Sequence, residues 1–185
     1  MIKILILIFS LTLSATSFGK NEIEYQNKRL VNKLEKNGIS GFSKLREIYS
    51  NSEGQSEQIG KFFEVENDVQ GSNIKYVFVG RVNSCRAGGC CNTVELSGNG
   101  ESEYFDYFIF FDLAKTVQLV EVYNYQATHG YEITAKGWLK QFIGFSEKDT
   151  LQVNKDIDGI SGATISVFAI TADVQEKTQL LKSIN

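Results

Sequence analysis

Two runs of β-branched and aromatic residues, separated by a short break, constrain the fold more than any other feature. The runs are EYFDYFIFF (103–111) and VQLVEVYNY (117–125), and a similar run, IKYVFVGRV (74–82), precedes them. Such runs are typical of strands, and a connection as short as 112–116 is typical of a β-hairpin. The sequence therefore predicts an antiparallel sheet that contains these three strands.

The last of these strands shows the clearest alternation. A strand places successive side chains on opposite faces of its sheet, so its residues divide into two sets. The pattern predicts that Val120 and Val122 lie on one face. It predicts an opposite face formed by Val117, Leu119, Glu121, Tyr123 and Tyr125.

Helical patterns precede the strands. Residues 21–36 are charged and helix-favouring, and the Asn-Gly dipeptide at 37–38 is a typical end signal for a helix. A second helical patch is predicted over 43–49, and a polar loop follows at 50–60. We therefore expect residues 20–60 to form an N-terminal helical segment and loop.

Two further helical patterns follow the strands. The apolar stretch WLKQFIGF (138–145) predicts a short helix. Residues 161–184 predict a longer amphipathic helix, because apolar side chains recur at steps of four, three and four at Ala163, Val167, Ile170 and Val174. The order helix, strands, helix predicts an α+β fold, with an antiparallel sheet and flanking helices in a single domain over 61–185.

Composition restricts the classes of function. The 185 residues suffice for one domain with a hydrophobic core, and 42% hydrophobic with 22% charged residues is ordinary for a globular protein. The net charge is −3, and the basic residues are scattered rather than clustered. This distribution argues against a nucleic-acid-binding surface.

The first residues, MIKILILIFSLTLSATSFGK, have the pattern of a secretory signal. Lys3 provides the positive start, 4–13 form a short apolar segment, and small residues follow. About ten apolar residues are too few to cross a bilayer, which requires roughly 20. We therefore expect 1–19 to be a signal peptide, removed on export to the periplasm or cell envelope, with no transmembrane helix after cleavage. A retained membrane anchor is the alternative.

Three cysteines, Cys85, Cys90 and Cys91, lie within seven residues as CRAGGCC. An oxidising compartment favours a bridge from Cys85 to Cys90 or Cys91, whereas a bridge between the two adjacent cysteines is strained. Two alternatives stay open, namely reduced inert thiols and a thiol redox pair. No metal site is expected, because three thiolates need a fourth ligand and the only histidine, His129, is far along the chain.

The segment DGISGATIS (158–166) carries the most informative chemistry. Ser161 is a natural N-cap for the last helix, and a helix start favours a phosphate through its free N–H groups and dipole. Gly162 and Ala163 leave the approach to Thr164 sterically open. The segment lacks the lysine of a P-loop and the glycine spacing of a dinucleotide fingerprint. From the residues alone, it is either a phosphate-binding helix start or an ordinary turn before a capped helix.

DGISGATIS resembles the flavinylation motif Asp-x-x-(Ser/Thr)-Gly-Ala-Thr of the FMN-binding domain family. That family includes flavin-carrying components of the sodium-pumping NADH:quinone reductase and of the Rnf complex. GWLKQFIGF (137–145) and the hairpin region 111–131 also resemble family segments. The resemblance covers about 70–185 and leaves the N-terminal helix outside it.

The resemblance implies a covalently bound FMN. In the family, a separate flavin transferase cleaves FAD and attaches FMN through its phosphate to the threonine hydroxyl, which releases AMP. On this chain the acceptor is Thr164, and Ser161, Gly162 and Ala163 complete the motif beside it. Asp158 matches the acidic position, either for recognition by the transferase or as a carboxylate that caps the turn.

Gly130, Tyr131 and Trp138 are the remaining candidates for the cofactor site. The first two lie where the family has a turn near the isoalloxazine ring, although the proline and second glycine of that turn are missing here. Tyr131 and Trp138 are candidate flavin-stacking groups, with a place in the hydrophobic core as the alternative. His129 receives no catalytic role.

These observations predict an exported electron-transfer flavoprotein that exchanges electrons with a membrane or periplasmic redox partner. The flavin supplies the redox chemistry, and no substrate-turnover residues are evident, so a redox subunit is expected rather than a stand-alone enzyme. One alternative is a non-redox exported binding or structural module with the same fold. Another is a thiol-redox protein that uses Cys85, Cys90 and Cys91.

The cysteine pattern gives a prediction that thiol counting tests. A bridge from Cys85 to Cys90 or Cys91 leaves one free thiol in the denatured, non-reduced protein. So short a loop should contribute only about 2 kcal/mol to the free energy of unfolding. Three free thiols, or a bound metal ion, would contradict the bridge.

Overall fold

The computed structural model describes residues 22–48, 60–66, 71–84 and 103–184. The predicted signal peptide at 1–19, most of the predicted loop at 50–60 and all three cysteines lie outside these described residues. What the sequence predicts for them stays a prediction.

One five-stranded antiparallel sheet forms the centre of the described structure. Its strands lie side by side in the order in which they occur along the chain. They are β1 (Leu45–Ile48), β2 (Gly60–Val65), β3 (Ile74–Asn83), β4 (Tyr104–Asp112) and β5 (Val117–Tyr125). The predicted α+β fold and the predicted hairpin, formed by β4 and β5, are confirmed.

The helix predicted over 43–49 is wrong. A 3₁₀ turn at Phe42–Lys44 leads directly into β1, which pairs with β2 from Leu45 opposite Val65 to Ile48 opposite Phe62. Pairing with a strand that is distant in sequence outweighs the weak local preference of a four-residue segment.

Three helices accompany the sheet in the described part of the chain. They are α1 (Lys28–Lys36), α2 (Lys136–Leu139), which continues as a 3₁₀ turn at Lys140–Phe142, and α3 (Thr164–Ser183). The predicted end of α1 is confirmed, but its start is later than predicted. The side chain of Asn27 accepts a hydrogen bond from the Leu30 N–H at 2.9 Å, which caps the helix there. No described helix is long and apolar enough to span a bilayer.

The sheet buries both of its faces. On one face, Val167, Ile170 and Val174 of α3 pack into a cluster with alternate side chains of the strands, as the apolar stripe predicts. On the other face, Leu30 and Leu34 of α1 pack into a second cluster that contains the intervening side chains. The central strands therefore carry apolar residues at nearly every position, because neither face is open to water.

The regular alternation predicted for β5 is interrupted near both of its ends. The ladder between β4 and β5 shifts register twice, and each shift moves the following side chain to the other face. The prediction is therefore wrong for Val117 and Tyr125, which lie on the α3 side together with Val120 and Val122. The shift near the end of β5 matters for the site, because it turns the Tyr125 side chain toward the start of α3.

A buried polar group fixes α3 on the sheet. The Tyr107 hydroxyl of β4 donates a hydrogen bond to Asp173 of α3, and Lys177 Nζ lies 3.2 Å from Asp173 Oδ1. Burial raises the pKa of Tyr107 and of Asp173 above their ordinary values. Because a hydrogen bond is directional, it sets the position of α3 along β4 more specifically than apolar contacts do.

The packing of α1 can be tested by substitution. Leu34→Ala should lower the free energy of unfolding by roughly 2–5 kcal/mol, because the Leu34 side chain is fully buried where α1 packs on the sheet. The exposed neighbour provides a control, since Glu35→Ala should change it by no more than about 0.5 kcal/mol. Urea denaturation measures both values. Equal small effects would show that α1 does not pack on the sheet.

Candidate functional site

A tight turn leads into the DGISGATIS segment. The Gln152 carbonyl accepts hydrogen bonds from the N–H groups of Lys155, Asp156 and Ile157, and the Asn154 N–H donates to the Ile157 carbonyl at 2.7 Å. Asn154 has a φ of 67°, a left-handed conformation that asparagine adopts more readily than most residues. The turn directs the following residues toward the start of α3.

Side chains of α2 and its 3₁₀ extension hold Asp158 at both backbone groups. The Trp138 indole N–H donates to the Asp158 carbonyl at 2.9 Å, and the Gln141 side-chain oxygen accepts from the Asp158 N–H at 2.9 Å. The Trp138 ring also makes an edge contact with Phe142, at 5.5 Å between centroids. The Asp158 carboxylate is exposed and forms no hydrogen bond with any described residue. The turn-capping alternative for Asp158 therefore has no support within the described residues.

Ser161 is not the N-cap of α3, contrary to the prediction. Ala163 occupies that position, and no side chain caps the helix start. Ser161 lies instead in a second turn before the helix, in which the Ala163 N–H donates to the Ile160 carbonyl and Gly162 has a φ of 82°. Among the described residues, no side chain accepts a hydrogen bond from the first N–H groups of α3, which is the arrangement that suits an anion.

Gly162 and Ala163 have different roles. A Cβ atom at Gly162 would meet nothing within 4 Å, so the surface at this position is open. The Ala163 side chain is only 2% exposed and lies in the cluster between α3 and the sheet. This small side chain packs inward and does not lie on the surface beside Thr164.

Thr164 is the first residue of α3 and is exposed. It lines a shallow concavity of about 260 Å³ between the preceding loop and the helix. Asn154, Ser161 and Phe168 line the same concavity, together with the apolar Val153, Ile160 and Val167 and the backbone of Gly159. Thr164 is thus exposed beside an apolar wall.

Gly130 packs against the first turn of α3. A Cβ atom there would lie 2.7 Å from Ser166 Oγ and 2.9 Å from the Tyr125 hydroxyl, and its φ is 90°. Ser166 is buried, with the Tyr125 hydroxyl at 3.0 Å and Ser84 Oγ at 3.4 Å. These hydroxyl contacts were not predicted, because nothing local in the sequence indicates that β3, β5 and α3 meet there.

Tyr131 and Trp138 lie in different surroundings. Tyr131 is 65% exposed, and its ring makes an edge contact with Tyr125 at 5.6 Å between centroids. Trp138 is partly buried and packs against the cluster beneath α3. The structure therefore brings Tyr131 near Ser166 and Trp138 near Asp158, on separate parts of the site.

The fold and the uncapped helix start define an α+β domain whose exposed hydroxyl lies where a phosphate is favoured. Residues 103–179, from β4 through most of α3, match the FMN-binding domain family. This part of the chain is similar to that family, and the similarity supports FMN as the cofactor and flavin binding in electron transfer as the role. No curated protein matches the chain.

The described residues fit FMN. Its phosphate suits the N–H groups at the start of α3, and its isoalloxazine ring requires apolar surface, which Val153, Ile160 and the exposed Phe168 supply in the concavity that Thr164 lines. Bound FMN supplies electron-transfer chemistry, while the protein supplies position and electrostatic environment.

The left-handed glycine before the helix gives a stability prediction. Gly162→Ala should lower the free energy of unfolding by roughly 1–2 kcal/mol, because alanine is strained at a φ of 82°. Gly137→Ala in α2 is a matched control, since a Cβ there also meets nothing within 4 Å. Because Gly137 is not among the positive-φ glycines, this control should be neutral or stabilise by about 0.5–1 kcal/mol. Equal effects in urea denaturation would contradict the left-handed turn.

Proposed function

We propose that this protein is an exported electron-transfer flavoprotein in which FMN is linked through its phosphate to Thr164. One observation carries the proposal. Thr164 presents an exposed hydroxyl at an uncapped helix start, within the segment that matches the FMN-binding domain family. Ser161 is also exposed, but it lies within the turn and is separated from the helix start by Gly162 and Ala163.

The attachment requires a separate flavin transferase that uses FAD. Thr164 Oγ1 forms a bond to the phosphorus of the FMN half, and the pyrophosphate P–O bond breaks to release AMP. The hydroxyl proton passes to a base of the transferase or to water. This chain contributes only the alcohol, so its requirement is access, which the open surface at Gly162 supplies.

The helix start then stabilises the product. A phosphate linked to both Thr164 and the ribityl chain keeps one negative charge at neutral pH. The dipole of α3 and its free N–H groups favour that charge by about 0.3–1 kcal/mol. Because Val167 and Ile170 anchor the same helix in the core, the linked phosphate has a fixed place relative to the sheet.

Two further parts of the proposal concern export and the role of Asp158. The pattern at 1–19 favours export, which places the redox partner in the membrane or the periplasm. The exposed Asp158 carboxylate is offered for recognition by the transferase, since its backbone is fixed by Trp138 and Gln141 while its side chain forms no hydrogen bond with a described residue.

The covalent link is tested by substitution at Thr164. In protein co-expressed with a flavin transferase, Thr164→Val should abolish the mass increase of FMN less one water on the peptide that contains residue 164. Valine keeps the β-branched shape and replaces the hydroxyl with a methyl group, so the fold should survive. Mass spectrometry of denatured protein and circular dichroism measure the two effects.

Three further variants sharpen this test. Thr164→Ser should retain labelling, because a primary alcohol can still attack phosphorus, and Ser161→Ala should label like the wild type. Asp158→Asn should reduce labelling without changing stability. Labelled Thr164→Val, or wild-type protein that loses its flavin on denaturation, would overturn the covalent assignment.

A further inference from the structure

A half-exposed aromatic side chain lies one helical turn from the acceptor threonine. Phe168 is 53% exposed, although a phenylalanine of this kind gains by burial. It lines the same concavity of about 260 Å³ as Thr164. The buried stripe of α3 through Val167 and Ile170 shows that Phe168 is not needed to hold the helix on the sheet.

Helix geometry places the two side chains together. Residues four apart lie on the same face of an α-helix, with roughly 5–6 Å between their Cβ atoms. Thr164 and Phe168 therefore form adjacent parts of one surface. Val153 and Ile160 of the preceding loop add apolar wall, and Asn154 adds an amide at the same concavity. A planar, largely apolar ring with a polar edge matches this lining.

We propose that Phe168 is the side chain against which the isoalloxazine ring of the Thr164-linked FMN packs. This inference rests on the proposed covalent link at Thr164. The flexible ribityl chain is longer than one helical turn of about 5.4 Å, so the ring can fold back from the phosphate over Phe168. Phe168 is thereby a cofactor-contacting residue that the DGISGATIS motif does not contain.

The other exposed side chains are worse placed for this contact. Ile165 follows Thr164 directly, so it points about 100° away around the helix and does not line the concavity. Tyr131 lies beyond Ser166, against Tyr125. Trp138 uses its indole N–H to hold Asp158. We therefore prefer Phe168 to Tyr131 and Trp138, the stacking groups predicted from the sequence.

The contact has a consequence for the flavin potential. An apolar side chain against one face of the ring excludes water from that face, which disfavours the more negatively charged reduced form. Removing Phe168 admits water and should raise the midpoint potential. A merely structural role of Phe168 would leave the potential of the attached flavin unchanged.

A tryptophan placed in contact with an excited flavin quenches its fluorescence by electron donation, which gives a direct test. Flavinylated full-length protein is prepared as Phe168→Trp, with Ile165→Trp as the matched control on the adjacent exposed position. We expect strong loss of flavin fluorescence in Phe168→Trp and little change in Ile165→Trp. Equal quenching in both variants, or quenching only in Ile165→Trp, would overturn the proposal.

Phe168→Ala tests the same contact without introducing a tryptophan. Phe168→Ala should make the flavin more accessible to iodide quenching and should raise its midpoint potential, whereas Tyr131→Ala should do neither. Mass spectrometry of each variant first establishes the adduct on residue 164. An absent wild-type adduct would reject the covalent link, while a present adduct with unchanged accessibility and potential in Phe168→Ala would reject only the role of Phe168.

Discussion

Helix α3 packs on one face of the sheet through Val167, Ile170 and Val174, and the functional site is built at the first turn of this helix. The hydrogen bond between Tyr107 and Asp173 sets where the helix lies along β4. A helix held in this way has a fixed N-terminus. The exposed hydroxyl of Thr164 and the free N–H groups beside it therefore have defined positions without any capping side chain.

The surroundings of the helix start come from distant parts of the chain. Trp138 and Gln141 hold the backbone of Asp158, and Gly130 lets its turn approach Ser166 closely. Rigid elements thus support the loop that carries the motif, while Thr164 itself stays open. The proposed attachment of FMN by a flavin transferase needs this combination of a fixed backbone and an accessible hydroxyl.

The part of the chain that matches the FMN-binding domain family does not include the whole sheet. The match covers 103–179, whereas β1, β2, β3 and α1 precede it. Strand β3 pairs with β4 along nearly its full length, and α1 covers the face that α3 leaves open. The preceding elements therefore complete the core on which the flavin-binding segment depends.

Local sequence patterns predicted the elements that have strong periodicity. The strands at 74–82, 103–111 and 117–125, the β4–β5 hairpin and the apolar stripe of α3 are all present in the structure. The motif around Thr164 was also readable, because it is contiguous and its chemistry depends on neighbouring residues. Short or weakly patterned segments were not predictable in this way, and β1 is the clearest case.

What the sequence by itself determined is the class of fold, the place of the last helix and the motif that contains Thr164. The tertiary structure decided that Ala163 rather than Ser161 precedes the helix, that Tyr125 turns toward Ser166, and that Phe168 shares a concavity with Thr164. The physical reason is that the spacing of apolar residues along the chain specifies on which face of its own helix or strand each side chain lies. Register shifts, extra turns and the packing of one element on another depend on residues far away, so only the folded chain fixes them.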